Sequence, residues 1–172
     1  MKKIVITGPE CTGKTTLTKA LAEHYQTHWV PEYAREYLDS LNRKYEERDL
    51  LEIARGQLAL EREIERKSNH LLFCDTDLTV IKVWQEYKYG RCFDEVSEIM
   101  KSKNYKLHLL MTPDIPWEFD EQRENPDNRK ELFNMYKSEL DQYKYKYQTI
   151  SGSFDSRLNA AIKAVDSITL NH

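Results

Sequence analysis

The sequence has little from which to build a secreted or membrane-embedded protein. Its 172 residues include three cysteines, Cys11, Cys74 and Cys92. They form no C-x-x-C pair and one is left over from any pairing, so neither a disulfide framework nor a zinc site follows. No apolar run approaches the ~20 residues that cross a bilayer, and the short apolar stretch after Met1-Lys2-Lys3 is too brief for a signal-peptide core. A cytoplasmic location with no membrane partner is the expectation. Basic blocks are missing too: 26 Lys and Arg against 29 Asp and Glu give a net charge of -3, and no basic stretch stands clear of acidic neighbours, so no nucleic-acid partner is expected. No internal repeat, linker or low-complexity stretch divides the chain, and its length suits one domain over residues 1–172.

What is present is Gly8-Pro9-Glu10-Cys11-Thr12-Gly13-Lys14-Thr15, a complete G-x-x-x-x-G-K-[ST] loop after the apolar run Ile4-Val5-Ile6. Its two glycines let the backbone curl until successive N–H groups face inward, and the helix opening at Lys14 adds a positive dipole end. ATP is the expected guest. Gly8, Glu10, Cys11, Thr12, Gly13, Lys14, Thr15 and Thr16 are the candidate nucleotide-binding residues, with Lys14 reaching the β- and γ-phosphates. The Thr15 hydroxyl belongs in the first shell of a Mg²⁺ that also holds phosphate oxygens. Cys11 is either an oxidation-sensitive thiol or a small residue tolerated in a tight turn.

The rest reads as strands alternating with helices. Strands are expected over 2–7, 27–30, 70–75, 105–111 and 147–150, and helices over about 14–25, from 32, 49–67, 77–86, 93–100, 131–145 and 154–168. Apolar strands without polar alternation belong in a sheet covered on both faces. The expected fold is α/β: a three-layer P-loop NTPase with a five-stranded parallel sheet, flanking helices and a small polar lid at about 117–129.

In such sheets ligands sit at the carboxyl ends of the strands. The unusual polar residues fall there: Glu32 and Arg35 after strand two, Asp75 and Asp77 after strand three, and Ser151-Gly152-Ser153 after strand five, the last three being further candidate nucleotide-binding residues. Asp75 either holds a water on the Thr15-bound Mg²⁺ or takes a proton from an attacking hydroxyl. Asp77 serves the substrate or caps the next helix. Glu32 and Arg35 grip a polar substrate or pair with each other one helical turn apart. Arg123 and Arg129 are candidate catalytic arginines of the lid, the alternative being solvated surface positions. Aromatics cluster near the same mouths, Trp29 and Tyr33 after strand two and Trp84, Tyr87 and Tyr89 after strand three, where a planar ring could stack or a core could pack.

With these residues assembled, the chain resembles the NadR-like ribosylnicotinamide kinases. The resemblance rests on the loop at 8–15, on Glu32-Tyr33-Ala34-Arg35-Glu36, on Asp75-Thr76-Asp77, on the 117–129 lid and on Ile150-Ser151-Gly152-Ser153. It implies transfer of the ATP γ-phosphate to the 5′-hydroxyl of nicotinamide riboside. It also implies aromatics on both sides of the nicotinamide ring, Trp29 or Tyr33 facing Trp84 or Tyr87. The lid departs from the family at Asp120-Glu121-Gln122-Arg123, where a glycine after the Asp is more typical. Neither an H-x-G-H motif nor a helix-turn-helix is visible, so adenylyl transfer and repression are not expected of this chain. Acidic Glu32, Asp75 and Asp77 favour a neutral or cationic acceptor over a monophosphate. Two rivals remain open: a P-loop kinase for another nucleoside or nucleotide, and a non-catalytic ATP-binding regulator.

Overall fold

The structure, a computed structural model, describes residues 1–169. Five parallel strands lie in the order β2-β3-β1-β4-β5, with β1 over Lys2–Thr7, β2 over Trp29–Val30, β3 over Leu71–Asp75, β4 over Leu107–Met111 and β5 over Tyr147–Ile150. The helices are α1 (Lys14–His24), α2 (Tyr33–Ser40), α3 (Glu47–Glu65), α4 (Leu78–Tyr89), α5 (Asp94–Ser102), α6 (Arg129–Gln142) and α7 (Phe154–Thr169). The central strands β1, β3 and β4 carry buried apolar residues on both faces because both are covered, whereas the edge strand β5 exposes Gln148 and Thr149. Ile4, Ile6, Phe73, Leu109 and Met111 pack with Leu17 and Leu21 of α1 and Val165 of α7. On the other face Val5, Leu72 and Cys74 meet Leu60 and Ile64 of α3, while Leu110 meets Val80 and Val83 of α4 and Leu132, Tyr136 and Leu140 of α6. This is the three-layer α/β arrangement that the continuous apolar runs required.

Several boundaries move by one to three residues, and three of the shifts bear on the site. The second strand is shorter than 27–30: Thr27 instead closes the end of α1, its N–H donating to Ala22 O at 2.9 Å and its hydroxyl to Leu71 O at 2.6 Å. The fourth helix runs past 86 to Tyr89, where Gly90 takes a left-handed φ of 70°. The sixth helix begins at Arg129 and not at 131, so Arg129 stands on a helix at the end of the expected lid.

One glycine fixes where the loop leaves the sheet. Gly8 has φ 135°, and a Cβ there would lie 2.8 Å from Met111 O at the end of β4. Only glycine allows that approach, which holds the phosphate loop against the carboxyl edge of the sheet.

Candidate active site

The loop is preformed. Gly13 is the N-cap of α1 in a left-handed conformation. The Thr12 hydroxyl donates to Pro9 O at 2.9 Å, and Lys14 Nζ donates to Gly8 O at 3.0 Å and Pro9 O at 2.9 Å. The lysine is thus folded over the mouth of its own loop, bonded to carbonyls that any phosphate can displace.

A buried guanidinium braces the loop from behind, and the sequence offered no motif for it. Arg157, in the first turn of α7, donates from Nη1 to Thr12 O at 2.5 Å, from Nε to Gly152 O at 2.8 Å and from Nη2 to Thr112 O at 3.1 Å, and it pairs with Asp114. Asp114 in turn accepts the Gly152 N–H at 2.7 Å. The Ser151-Gly152-Ser153 turn is therefore tied to the loop through Arg157. Ser153 Oγ contacts Ser156 in the opening turn of α7, and none of the three lines the cleft that contains Lys14 and Thr15.

At the foot of the loop the Thr15 hydroxyl donates to Asp75 Oδ2 at 2.5 Å. Asp75 is 1% exposed, and its Oδ1 has no hydrogen-bond partner. Burial pushes its carboxyl up to about 6, the negative charge of Glu32 pushes the same way, and the Thr15 hydroxyl, Lys14 and Arg35 oppose them. The next residue, Thr76, holds a left-handed φ of 76°, a conformation that costs a β-branched residue on the order of 1–3 kcal/mol. It is held there by its N–H on Ile6 O at 3.0 Å and by the turn into α4. Asp77 makes that turn: it caps α4 by accepting from Thr79 N at 3.1 Å, and its Oδ2 meets His108 Nε2 at 3.1 Å. Its carboxylate, 2% exposed, is spent on the fold and lines neither the main cleft nor the recess beside it.

Thr15 and Asp75 pass the test for Mg²⁺. They offer two adjacent oxygens, one a buried carboxylate oxygen lacking any partner, and magnesium is commonly held by one or two protein oxygens while phosphates and water supply the rest. Without the cation, the raised Asp75 carboxyl has a measurable consequence. Its proton is bound more tightly in the folded protein than in the unfolded chain, so its contribution to stability is complete below about pH 4 and is lost as pH rises through about 6. In chelator, Asp75→Asn is expected to become progressively more stable than the parent between these limits, by on the order of 2–3 kcal/mol; parallel denaturant titrations of the two proteins check it.

The cleft opens beyond the loop. Glu32, Arg35, Trp84 and Tyr87 line it, joined by Val80, Val83, Leu132 and Tyr136, which form an apolar wall from α4 and α6. Trp84 Nε1 donates to Tyr45 OH at 2.9 Å, and Tyr87 OH accepts from Asn128 at 2.6 Å. Tyr33 goes elsewhere. Its ring packs on α3 at Gly56, where an added Cβ would sit 2.0 Å from the ring, and with Trp29 it borders the recess beside Asp75. Arg35 pairs with Asp120 of the lid at 3.0 Å and not with Glu32.

The segment expected as a lid borders this cleft through Gln122, Arg123 and Asn125. Arg123 lines it, donating to Glu118 O at 2.6 Å beside Trp117. Arg129 donates to Cys11 O at 3.1 Å and Ile115 O at 3.0 Å, bridging helix, lid and loop. Gln122 and Asn125, which the sequence did not single out, also line the cleft. Cys11 Sγ accepts from Glu118 N at 3.2 Å, so this half-buried thiol is a lid contact. Among the described residues no helix is long and apolar enough to cross a membrane.

Comparison with known proteins agrees with this geometry. The model of the AAA domain family matches residues 3–157. The trifunctional NAD biosynthesis/regulator protein NadR of Escherichia coli K12 is 25% identical over 174 aligned positions, covering 96% of this chain and 42% of its own. Crystal structures of a NadR protein, one with NR and one with NAD and AMP-PNP, superpose with a TM-score of 0.78 at 24% identity, over 99% of this chain and 50% of theirs. A thymidylate kinase from Ehrlichia chaffeensis superposes with a TM-score of 0.64 at 14% identity over 97% of both chains. The chain thus spans no more than about half the length of the NadR proteins it matches.

Proposed function

The chain belongs to the AAA domain family, and on that premise we propose that it transfers the γ-phosphate of ATP to the 5′-hydroxyl of nicotinamide riboside, forming nicotinamide mononucleotide. The observation that carries this reading is the buried Asp75, bonded to Thr15 of the phosphate loop and lining a recess that adjoins the acidic and aromatic cleft through Thr15, Glu32 and Arg35. The similarity to NadR and to its complexes with NR and with AMP-PNP supports the choice of acceptor and donor.

ATP enters with its phosphates on the N–H groups of the loop at 8–15, and Lys14 exchanges Gly8 O and Pro9 O for β- and γ-phosphate oxygens. The Thr15 hydroxyl and the Asp75 carboxylate would hold Mg²⁺, and the cation, when bound, would neutralise charge on the phosphates. Asp75 takes the hydroxyl proton as the acceptor oxygen bonds to the γ-phosphorus and the bond to the β-phosphate oxygen breaks, releasing ADP. Arg123 answers the charge on the transferring group from above. Glu32, with the faces of Trp84 and Tyr87, suits a cationic aromatic ring better than a second phosphate.

Mass-spectrometric detection of product from a nucleoside panel tests the acceptor. Nicotinamide riboside is expected to exceed thymidine, deoxyadenosine and uridine by about tenfold or more in kcat/KM, a margin of ~1.4 kcal/mol in transition-state binding. A deoxynucleoside or a nucleoside monophosphate at the head of the ranking would replace this reading with another P-loop kinase.

A further inference from the structure

We propose that Glu10 is a positioning residue for the lid, a carboxylate carried by the phosphate loop that docks the lid over the donor so that the phosphoryl group passes to the acceptor and not to water. This rests on the kinase reading above but not on the identity of the acceptor.

A carboxylate in a phosphate loop needs a reason, since a negative side chain beside a polyphosphate is repelled unless it is directed away. Glu10 is directed at the lid. Its Oε2 accepts from Glu124 N at 3.1 Å and Asn125 N at 3.0 Å, with Oε1 at 3.3 Å from Glu124 N. Two successive backbone N–H groups on one carboxylate make a charge-assisted clasp. The segment it clasps, residues 112–128, has no helix or strand of its own, so its backbone depends on such outside partners. The neighbouring loop residue works to the same end. Cys11 holds a left-handed φ of 53°, its carbonyl accepts from Arg129 and its sulfur accepts the Glu118 N–H.

The far side of the lid is held by α2, through Arg35 on Asp120 at 3.0 Å and Gln122 on Asp39 at 2.6 Å. Between these anchors the lid presents Gln122, Arg123 and Asn125 to the cleft. The Glu124 side chain is held separately by Tyr45 OH at 2.7 Å and by Lys88 at 3.2 Å, so releasing the Glu10 clasp loosens the backbone at 124–125, where the segment meets the phosphate loop, without detaching it. Water then attacks the γ-phosphorus, the same bond to the β-phosphate breaks, and ADP and inorganic phosphate leave with no acceptor consumed.

Two variants of the full chain and two readouts test this. In Glu10→Ala without nucleotide, hydrogen exchange at the Glu124 and Asn125 amides should quicken by about tenfold. In Glu10→Gln, which keeps an acceptor oxygen and loses the charge, the gain should be smaller. With ATP present, inorganic phosphate released per acceptor phosphorylated should rise in Glu10→Ala and fall back towards the parent in Glu10→Gln. Unchanged exchange at those two amides in Glu10→Ala overturns the clasp; freed amides with an unchanged hydrolysis ratio overturn its control of transfer. Failure to phosphorylate nicotinamide riboside counts against the proposed reaction alone, because the exchange experiment involves no acceptor.

Discussion

Asp75→Asn is expected to lower kcat for phosphoryl transfer by about 10²–10⁴-fold while the protein stays folded. Asparagine has nearly the same shape and keeps an oxygen for the Thr15 hydroxyl, which now sits 2.5 Å from the carboxylate. What it loses is the charge and the capacity to take a proton. The fold should not object, because burial already resists the charged form and holds the carboxyl at about 6, so neutralising it relieves desolvation. The loss therefore separates from instability: kcat falls, the thermal midpoint holds or rises, and ATP measured by calorimetry in chelator binds as in the parent. Binding in Mg²⁺ weakens if Oδ2 supplies a ligand, which divides the metal role from the proton role. Turnover equal to that of the parent would remove Asp75 from the chemistry and favour a nucleotide-binding regulator.

The donor half of this site was legible in the sequence because its signals are local. The eight residues of the loop specify their own turn, and the apolar run Leu71-Leu72-Phe73-Cys74 places Asp75 at a strand end whatever packs around it. The resemblance to NadR-like kinases rested on the same segments and on the lid. Less visible were roles set by partners far along the chain. Asp77 stood open between substrate and helix cap; the structure makes it the cap, through Thr79 N, and His108, 31 positions away, meets its Oδ2. Tyr33 stands in the same element as Arg35, but Gly56 leaves a flat place on α3 that takes its ring out of the cleft. Arg157 reads as one charge in an ordinary helix until the fold sets it under Thr12, 145 residues away. Glu10 was seen as one more loop residue because its N–H partners lie 114 and 115 positions on, in a segment without periodicity.

Lys14→Ala is expected to cost about 10²–10³-fold in kcat/KM for ATP, with most of the loss in kcat. In the nucleotide-free chain the ammonium rests on Gly8 O and Pro9 O at 3.0 and 2.9 Å. These carbonyls border an open cleft, so water replaces the lysine when it is truncated and stability changes by roughly 0.5 kcal/mol or less. With ATP bound the same ammonium lies against the β- and γ-phosphates, where charge shifts towards the leaving oxygen as the bond breaks. A cation placed there stabilises the transition state more than the ground state, which is why kcat is to suffer more than affinity. Lys14→Arg should not rescue: a planar fork spreads its donors where the loop has room for one compact charge. Steady-state kinetics, ATP binding by calorimetry and thermal melting, made on both variants, check the split. An alanine variant that keeps its kcat and loses only ATP affinity would show that Lys14 grips the ground state and does no more, leaving Arg123 and the cation to answer the charge of transfer.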